Sequence, residues 1–270
     1  MELSRSNLPE AFPAGLFDTH THYDDEKFDG VREELLCSLF ERGLSGLIHA
    51  SVDFASCRFG LELSGSYQRA YSAIGLHPEN LYDAVPGWIE RLRELYISAG
   101  DKKPVAIGEI GLDYHYPGYD RTAQLDAFCS QLELAGELGL PVIIHCRDAI
   151  GDCVDVLRGH LSPSGGVMHC YSGSKETARE LLDMGLYISF TGTLTFKNSK
   201  KQQEVVKYLP PDRLLLETDC PYMAPEPLRG RICDSSMLIH TASAAAVIKE
   251  LDPLELVLTA RENTRRLFGV

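Results

Sequence analysis

The sequence lacks any run of about 18 apolar residues, so no membrane-spanning helix is expected. Its beginning, Met1-Glu2-Leu3-Ser4-Arg5-Ser6-Asn7, has no apolar signal core, which leaves a cytoplasmic location as the expectation. Its eight Cys form no C-x-x-C pair, and several sit inside apolar runs. In a reducing compartment they read as small buried hydrophobes rather than a disulfide framework. Positive charge is scarce: 26 Lys and Arg stand against 39 Asp and Glu, a formal net charge of −13. That balance argues against broad adhesion to nucleic acid or an anionic membrane. A nucleic-acid substrate stays open, held locally by bound divalent cations and a few Arg. No linker or low-complexity stretch divides the chain, no heptad pattern runs along it, and no obligate protein partner is evident. With 44% hydrophobic residues, residues 1–270 can bury a sizeable core, and length alone leaves one large domain or two small ones open.

What is present is a repeating pattern of apolar run, loop and amphipathic stretch. After a short irregular lead-in over 1–14, the runs fall at 15–20, 46–51, 70–75, 104–109, 141–145, 165–169, 186–190 and 214–219. Their continuous apolarity suits parallel strands covered by helices on both faces. Helical spacing predicts helices over Val31–Arg42, Trp88–Ile97, Thr122–Leu138, Ala149–Leu157, Lys175–Met184, Lys200–Tyr208, Ser235–Leu251 and Pro253–Phe268. Asp252-Pro253 has the form of an N-cap followed by Pro at the first helical position. Eight strand–helix units of this size fit an α/β fold, a single TIM-type (β/α)8 barrel. An open doubly wound sheet is the alternative.

The barrel makes a demand, because its active-site groups sit at the C-terminal ends of strands. His20 and His22 end the first run, one residue apart and so on one face. His77 follows the third run, Glu109 ends the fourth, His145 the fifth, His169 the sixth and Asp219 the eighth. A single His at any of these places would read as a core residue. Metal-competent groups recurring at one register read as a site. His49 lies earlier in its run and reads as core or as support for a ligand; His115, His160 and His240 fall in loops or helices.

At these residues the chain resembles the TatD family of metal-dependent hydrolases. The matching motifs are Phe17-Asp18-Thr19-His20-Thr21-His22, Gly75-Leu76-His77-Pro78, the segment from Ile107 through Glu109 to Tyr114, Ile144-His145-Cys146-Arg147, His169-Cys170-Tyr171-Ser172-Gly173 and Glu217-Thr218-Asp219-Cys220-Pro221-Tyr222. The resemblance implies a TIM-type barrel, divalent metals and hydrolysis of phosphodiester bonds, often at DNA 3′ ends. One segment departs from the family pattern. Where relatives commonly carry Arg-Gly-Lys-Arg-Asn-Glu-Pro, this chain has Arg229-Gly230-Arg231-Ile232-Cys233-Asp234-Ser235. That segment is expected near the mouth of the site, where it would bear on substrate preference.

Taken with the resemblance, His20, His22, Glu109 and Asp219 are expected to form one metal site, and Glu109, His145 and His169 a second. Glu109 is then the bridge, since a carboxylate offers two oxygens to two cations. The mixed N/O donor set suits two divalent ions, with Zn, Mn, Fe or Mg as candidates. Water held between two such ions becomes nucleophilic near neutral pH. Asp219 is also a candidate to steer that water and carry its proton. Glu217 is expected either to hold a ligand His by its second nitrogen or to make an interior salt bridge. His77 reads as a phosphate hydrogen-bond donor, and Arg147, Arg229 and Arg231 as phosphate anchors. Tyr114, Tyr116, Tyr171 and Tyr222 are candidates to stack on a base. Ser172-Gly173-Ser174 reads as an anion-binding helix start or an ordinary N-cap.

Three functions compete: a phosphodiesterase acting on nucleic-acid ends, a hydrolase of small amides, lactones or esters at carbon, and a non-catalytic metal-binding barrel. The third fits least, because structural metal sites are closed while these groups gather at the open end of a barrel.

Overall fold

The structure, a computed structural model, describes residues 12–270, so positions 1–11 of the expected lead-in lie outside the described residues. The strands are β1 (Phe17–Thr21), β2 (Gly46–Ala50), β3 (Ala70–Ile74), β4 (Ala106–Asp113), β5 (Val142–Arg147), β6 (Gly166–Met168), β7 (Tyr187–Phe190) and β8 (Leu214–Leu216). They lie in one sheet in chain order, and every neighbouring pair is parallel. The helices are α1 (Arg32–Glu41), α2 (Phe54–Ser66), α3 (Trp88–Ser98), α4 (Arg121–Leu138), α5 (Ile150–His160), α6 (Lys175–Asp183), α7 (Lys200–Tyr208), α8 (Leu238–Lys249) and α9 (Pro253–Phe268). This is a single TIM-type (β/α)8 barrel, not the open doubly wound sheet. Among the described residues no helix is long and apolar enough to cross a membrane.

The period of two explains the apolar runs. Ile48, Ile143 and Leu215 belong to a small buried cluster that takes one residue from each strand and is completed by Phe268. Their chain neighbours Leu47, Val142, Ile144, Leu214 and Leu216 belong to the larger cluster shared with the helices. Adjacent residues thus face the barrel lumen and the helix layer in turn, and both faces must be apolar. The ring closes between β1 and the segment after β8. Thr19 Oγ1 donates to Leu216 O at 3.1 Å, Asp219 N to His20 O at 3.0 Å and His22 N to Cys220 O at 2.8 Å.

Three departures from the expected elements have physical causes. First, no helix was expected between β2 and β3, because Gly60, Gly65 and three Ser dilute the signal in α2. Asp53 nonetheless caps it, accepting from Ser56 N at 2.8 Å. Gly60 is there for close approach: a Cβ would stand 2.7 Å from His49 Cδ2 and 3.2 Å from Ser72 Cβ. Second, β4 runs on to Asp113, with a register shift against β5 between Ile107 and Ile110. Glu109 therefore sits at a bulge inside the strand rather than at its end. Third, β8 stops at Leu216, so Asp219 lies in the following loop, with a left-handed φ of 60°. The expected cap of α9 is present: Asp252 accepts from Leu254 N at 2.9 Å and Glu255 N at 3.2 Å, with Pro253 at the start. All eight cysteines are free thiols; Cys57, Cys153, Cys220 and Cys233 are buried, and Cys37 is exposed.

Candidate metal centre

β1 carries His20 and leads directly into His22; the bulge of β4 turns Glu109 inward; β5 carries His145, and His169 follows β6. Asp219 joins them from the loop after β8. His20 Nε2 lies 3.1 Å from His22 Nε2, 3.2 Å from Glu109 Oε2 and 3.7 Å from Asp219 Oδ1. His22 Nε2 lies 3.2 Å from Asp219 Oδ1 and 3.5 Å from Glu109 Oε2. The other Glu109 oxygen faces the opposite way. Oε1 is 2.8 Å from both His145 Nδ1 and His169 Nε2, which are 3.1 Å from each other. One carboxylate thus divides its two oxygens between two pairs of imidazoles.

The donor set fits divalent cations. In the first group, nitrogen and carboxylate oxygen atoms lie 3.1–3.7 Å from one another. Lone pairs at that spacing need a positive charge among them. The local field is of the right sign. Burial alone would lower the imidazolium pKa values of His22 and His145, yet Asp219 and Glu109 raise the first to about 9. Asp113 and Glu109 raise the second to about 9. Burial pushes the Glu109 carboxyl up, but the facing His169, His20, His77 and His145 outweigh it and hold it well below the usual range. Asp219 is lowered in the same way, with His22 overcoming burial.

Ring orientations select the nitrogen each imidazole turns inward. His145 Nε2 meets Asp113 Oδ2 at 3.0 Å, which leaves Nδ1 facing Glu109. His169 Nδ1 points at Glu217 Oε1, 3.6 Å away, while Nε2 faces the centre. Glu217 is itself held by Cys170 N and Ser189 Oγ, both donating at 2.6 Å. His77 differs from the others. Its Nδ1 accepts the backbone N–H of Glu79 at 3.2 Å, so neutral His77 carries its proton on Nε2, 3.5 Å from Glu109 Oε1. Burial lowers its pKa to about 3, which keeps it neutral.

Asp113 received no role from the sequence, because the strand was expected to stop at Glu109; in the longer β4 it reaches His145. The only sequence signal was its place four residues beyond Glu109 in the same motif. His49 is buried in β2, with Nε2 3.1 Å from Ser56 Oγ, and does not face the centre. His115 pairs with Asp148 at 2.8 Å on the surface and His160 lies 3.7 Å from Glu133.

The rim candidates separate. Arg147, the last residue of β5, is exposed, its guanidinium 5.3 Å from the centre of the Tyr116 ring. Arg229 is exposed and 4.5 Å from the Phe196 ring centre; Arg231 is exposed too. Tyr116 and Tyr222 are 53% and 48% exposed, enough to meet a base. Tyr171 is buried and donates to Ser174 O at 2.7 Å, and Tyr114 donates to Asp152 at 2.7 Å and stacks on Tyr119. Both are packing residues. Ser174 is an ordinary N-cap of α6, accepting from Thr177 N at 3.2 Å. Within the divergent segment Arg229 and Arg231 are exposed, while Cys233, Asp234 and Ser235 are buried. Asp234 accepts from Ser236 N at 2.8 Å, and Ser235 Oγ donates to Asp18 at 2.7 Å.

A (β/α)8 barrel with His, Glu and Asp groups able to hold metal ions at the C-terminal ends of its strands defines the class of barrel hydrolases that work with metals. The family model for TatD related DNase matches residues 17–269. A Bacillus subtilis protein named uncharacterized metal-dependent hydrolase YabD is 40% identical over 256 residues, covering 94% of this chain and 99% of the relative. The 3'-5' ssDNA/RNA exonuclease TatD of Cronobacter sakazakii is 32% identical over 259 residues, covering 94% of this chain and 97% of that one. The crystal structure of YJJV, a TatD homolog from Escherichia coli K12, superposes with a TM-score of 0.90 at 30% identity, covering 96% of this chain and 100% of that chain. The chain belongs to the TatD family and is a metal-dependent hydrolase.

Proposed function

We propose that the protein is a phosphodiesterase acting on nucleic-acid ends, a 3′-to-5′ deoxyribonuclease using two divalent ions. His20, His22, Glu109 and Asp219 would hold one ion, and Glu109, His145 and His169 the other. The observation that carries this reading is the division of Glu109, with Oε2 toward His20 and Oε1 2.8 Å from His145 and His169. The relative named as an ssDNA/RNA exonuclease supports the choice of nucleic acid as substrate. Bound divalent ions would supply Lewis acidity, which makes a water nucleophilic near neutral pH and offsets charge on a phosphoryl group.

The chain's own residues supply the rest. Asp219 steers the attacking water and takes up its proton. His77 donates its Nε2 proton to a phosphate oxygen. Arg147, Arg229 and Arg231 anchor phosphates from the rim, and Tyr116 and Tyr222 offer faces to bases. The net charge of −13 confines attraction for polynucleotide to this site, and it also favours a second reading, hydrolysis of a small ester or amide at carbon. We place the whole chain, 1–270, in one cytoplasmic domain without an obligate protein partner.

The test is metal content and activity on one sample. Protein purified without chelator is analysed for bound metals and assayed on a 3′-labelled single-stranded oligonucleotide with Mg²⁺ or Mn²⁺. Stepwise loss of 3′ nucleotides, absent with chelator and in Asp219→Ala, is the expected result. Bound metal with turnover of small esters or amides but no attack on the oligonucleotide would overturn it.

A further inference from the structure

A buried hydrogen-bond chain runs behind the first donor group. Tyr23, Ser235, Asp18 and Thr218 are each 0–2% exposed. Ser235 N–H donates to the Tyr23 oxygen at 3.1 Å, and the two hydroxyl oxygens are 2.8 Å apart. Ser235 Oγ donates to Asp18 Oδ2 at 2.7 Å. With the Asp18 carboxylate ionised, that proton is committed to it and the Tyr23 hydroxyl donates to Ser235 Oγ, so the chain runs toward Asp18. Asp18 then accepts Thr218 Oγ1–H at 2.6 Å and Thr218 N–H at 2.9 Å.

Asp18 and Thr218, which close this chain, belong to the two backbone segments that carry the donors. Asp18 lies two residues before His20, and Thr218 immediately precedes Asp219. Asp219 sits at a left-handed φ of 60°, a conformation that surrounding contacts must hold. The segments are further tied by Asp219 N to His20 O at 3.0 Å and His22 N to Cys220 O at 2.8 Å. None of these bonds touches His145 or His169. A proline at position 235 would offer neither the N–H nor the hydroxyl.

We propose that Ser235, backed by Tyr23, is a positioning residue that fixes Asp219 against His20 and His22 through Asp18 and Thr218. The inference rests on the reading of those three residues as ion-holding. It predicts a selective effect, since outer hydrogen-bond partners change metal affinity by about 10–100-fold. The metal-free full-length protein is titrated with Mn²⁺ by calorimetry. Wild type shows two binding steps, and Asp219→Ala identifies the step that belongs to its group. Ser235→Ala is expected to weaken that step about tenfold and leave the other unchanged. Tyr23→Phe shifts the same step by less, and Ser235→Thr, which keeps the hydroxyl, restores it. Native affinity for both ions in Ser235→Ala would overturn the inference. So would equal weakening of both steps together with a lowered Tm, which would mark a merely structural residue. A wild type that takes up no ions overturns the underlying reading itself, and is distinguished because the failure is in the wild type rather than the variant.

Discussion

Replacing Asp113 by Asn should weaken the hold on one ion without touching any residue assigned to hold it. The Asp113 backbone is pinned by Gln124, which accepts from Asp113 N and donates to Asp113 O, each at 2.8 Å. Its carboxylate has two tasks: Oδ1 accepts the N–H of His115 at 2.9 Å, and Oδ2 meets His145 Nε2 at 3.0 Å. An amide cannot do both. If its oxygen stays with His115, its NH₂ faces His145 Nε2, and the ring must move its proton to Nδ1, the atom 2.8 Å from Glu109. A protonated Nδ1 has no lone pair for a cation. If the amide flips, NH₂ opposes N–H at His115 and the bond to His145 weakens with the lost charge. Outer-partner losses of this type lower metal affinity by about 10–100-fold, equivalent to about 1.4–2.7 kcal/mol. Calorimetric titration of the metal-free Asp113→Asn protein should show the step lost in His145→Ala weakened by that factor. The other step should be preserved, and Tm in the ion-free state should fall by only a few degrees. Native affinity at both steps would refute the tautomer argument and reduce Asp113 to a loop-stabilising residue.

Other perturbations separate the remaining roles. His145→Ala should abolish metal-dependent cleavage of an oligonucleotide while the circular dichroism spectrum stays native, because a ligand is lost from a barrel whose apolar layers are intact. His77→Gln should lower kcat about a hundredfold with ion content unchanged by elemental analysis, as expected for a donor to substrate rather than a ligand. Arg147→Ala should raise KM for single-stranded DNA and flatten the dependence of log affinity on log salt by about 0.7, the share of one phosphate contact. Gly60→Ala should destabilise by about 1–3 kcal/mol in urea denaturation, because the added Cβ meets His49 at 2.7 Å within a packed helix–strand contact.

The elements differ in how far the sequence alone determines them. Eight apolar runs, six of them with His or acidic groups near their ends, were legible because both faces of a barrel strand are buried while its C-terminal end carries the groups of the site. The cap at Asp252-Pro253 was legible because capping is local. What escaped was set by neighbours distant in the chain. The helix Phe54–Ser66 was hidden by the glycine that lets it lie against His49. The true end of β4, and with it the reach of Asp113 to His145, follows from pairing with β5, which carries the strand past the bulge at Glu109. The burial of Cys233, Asp234 and Ser235 follows from closure of the ring between β1 and the loop after β8. Residue types and register, read along the chain, name the groups that gather at the mouth. Only the closed ring decides which Glu109 oxygen faces which imidazole, and which ring nitrogen turns inward. Those choices depend on hydrogen-bond partners brought together from separate strands and the loops that follow them.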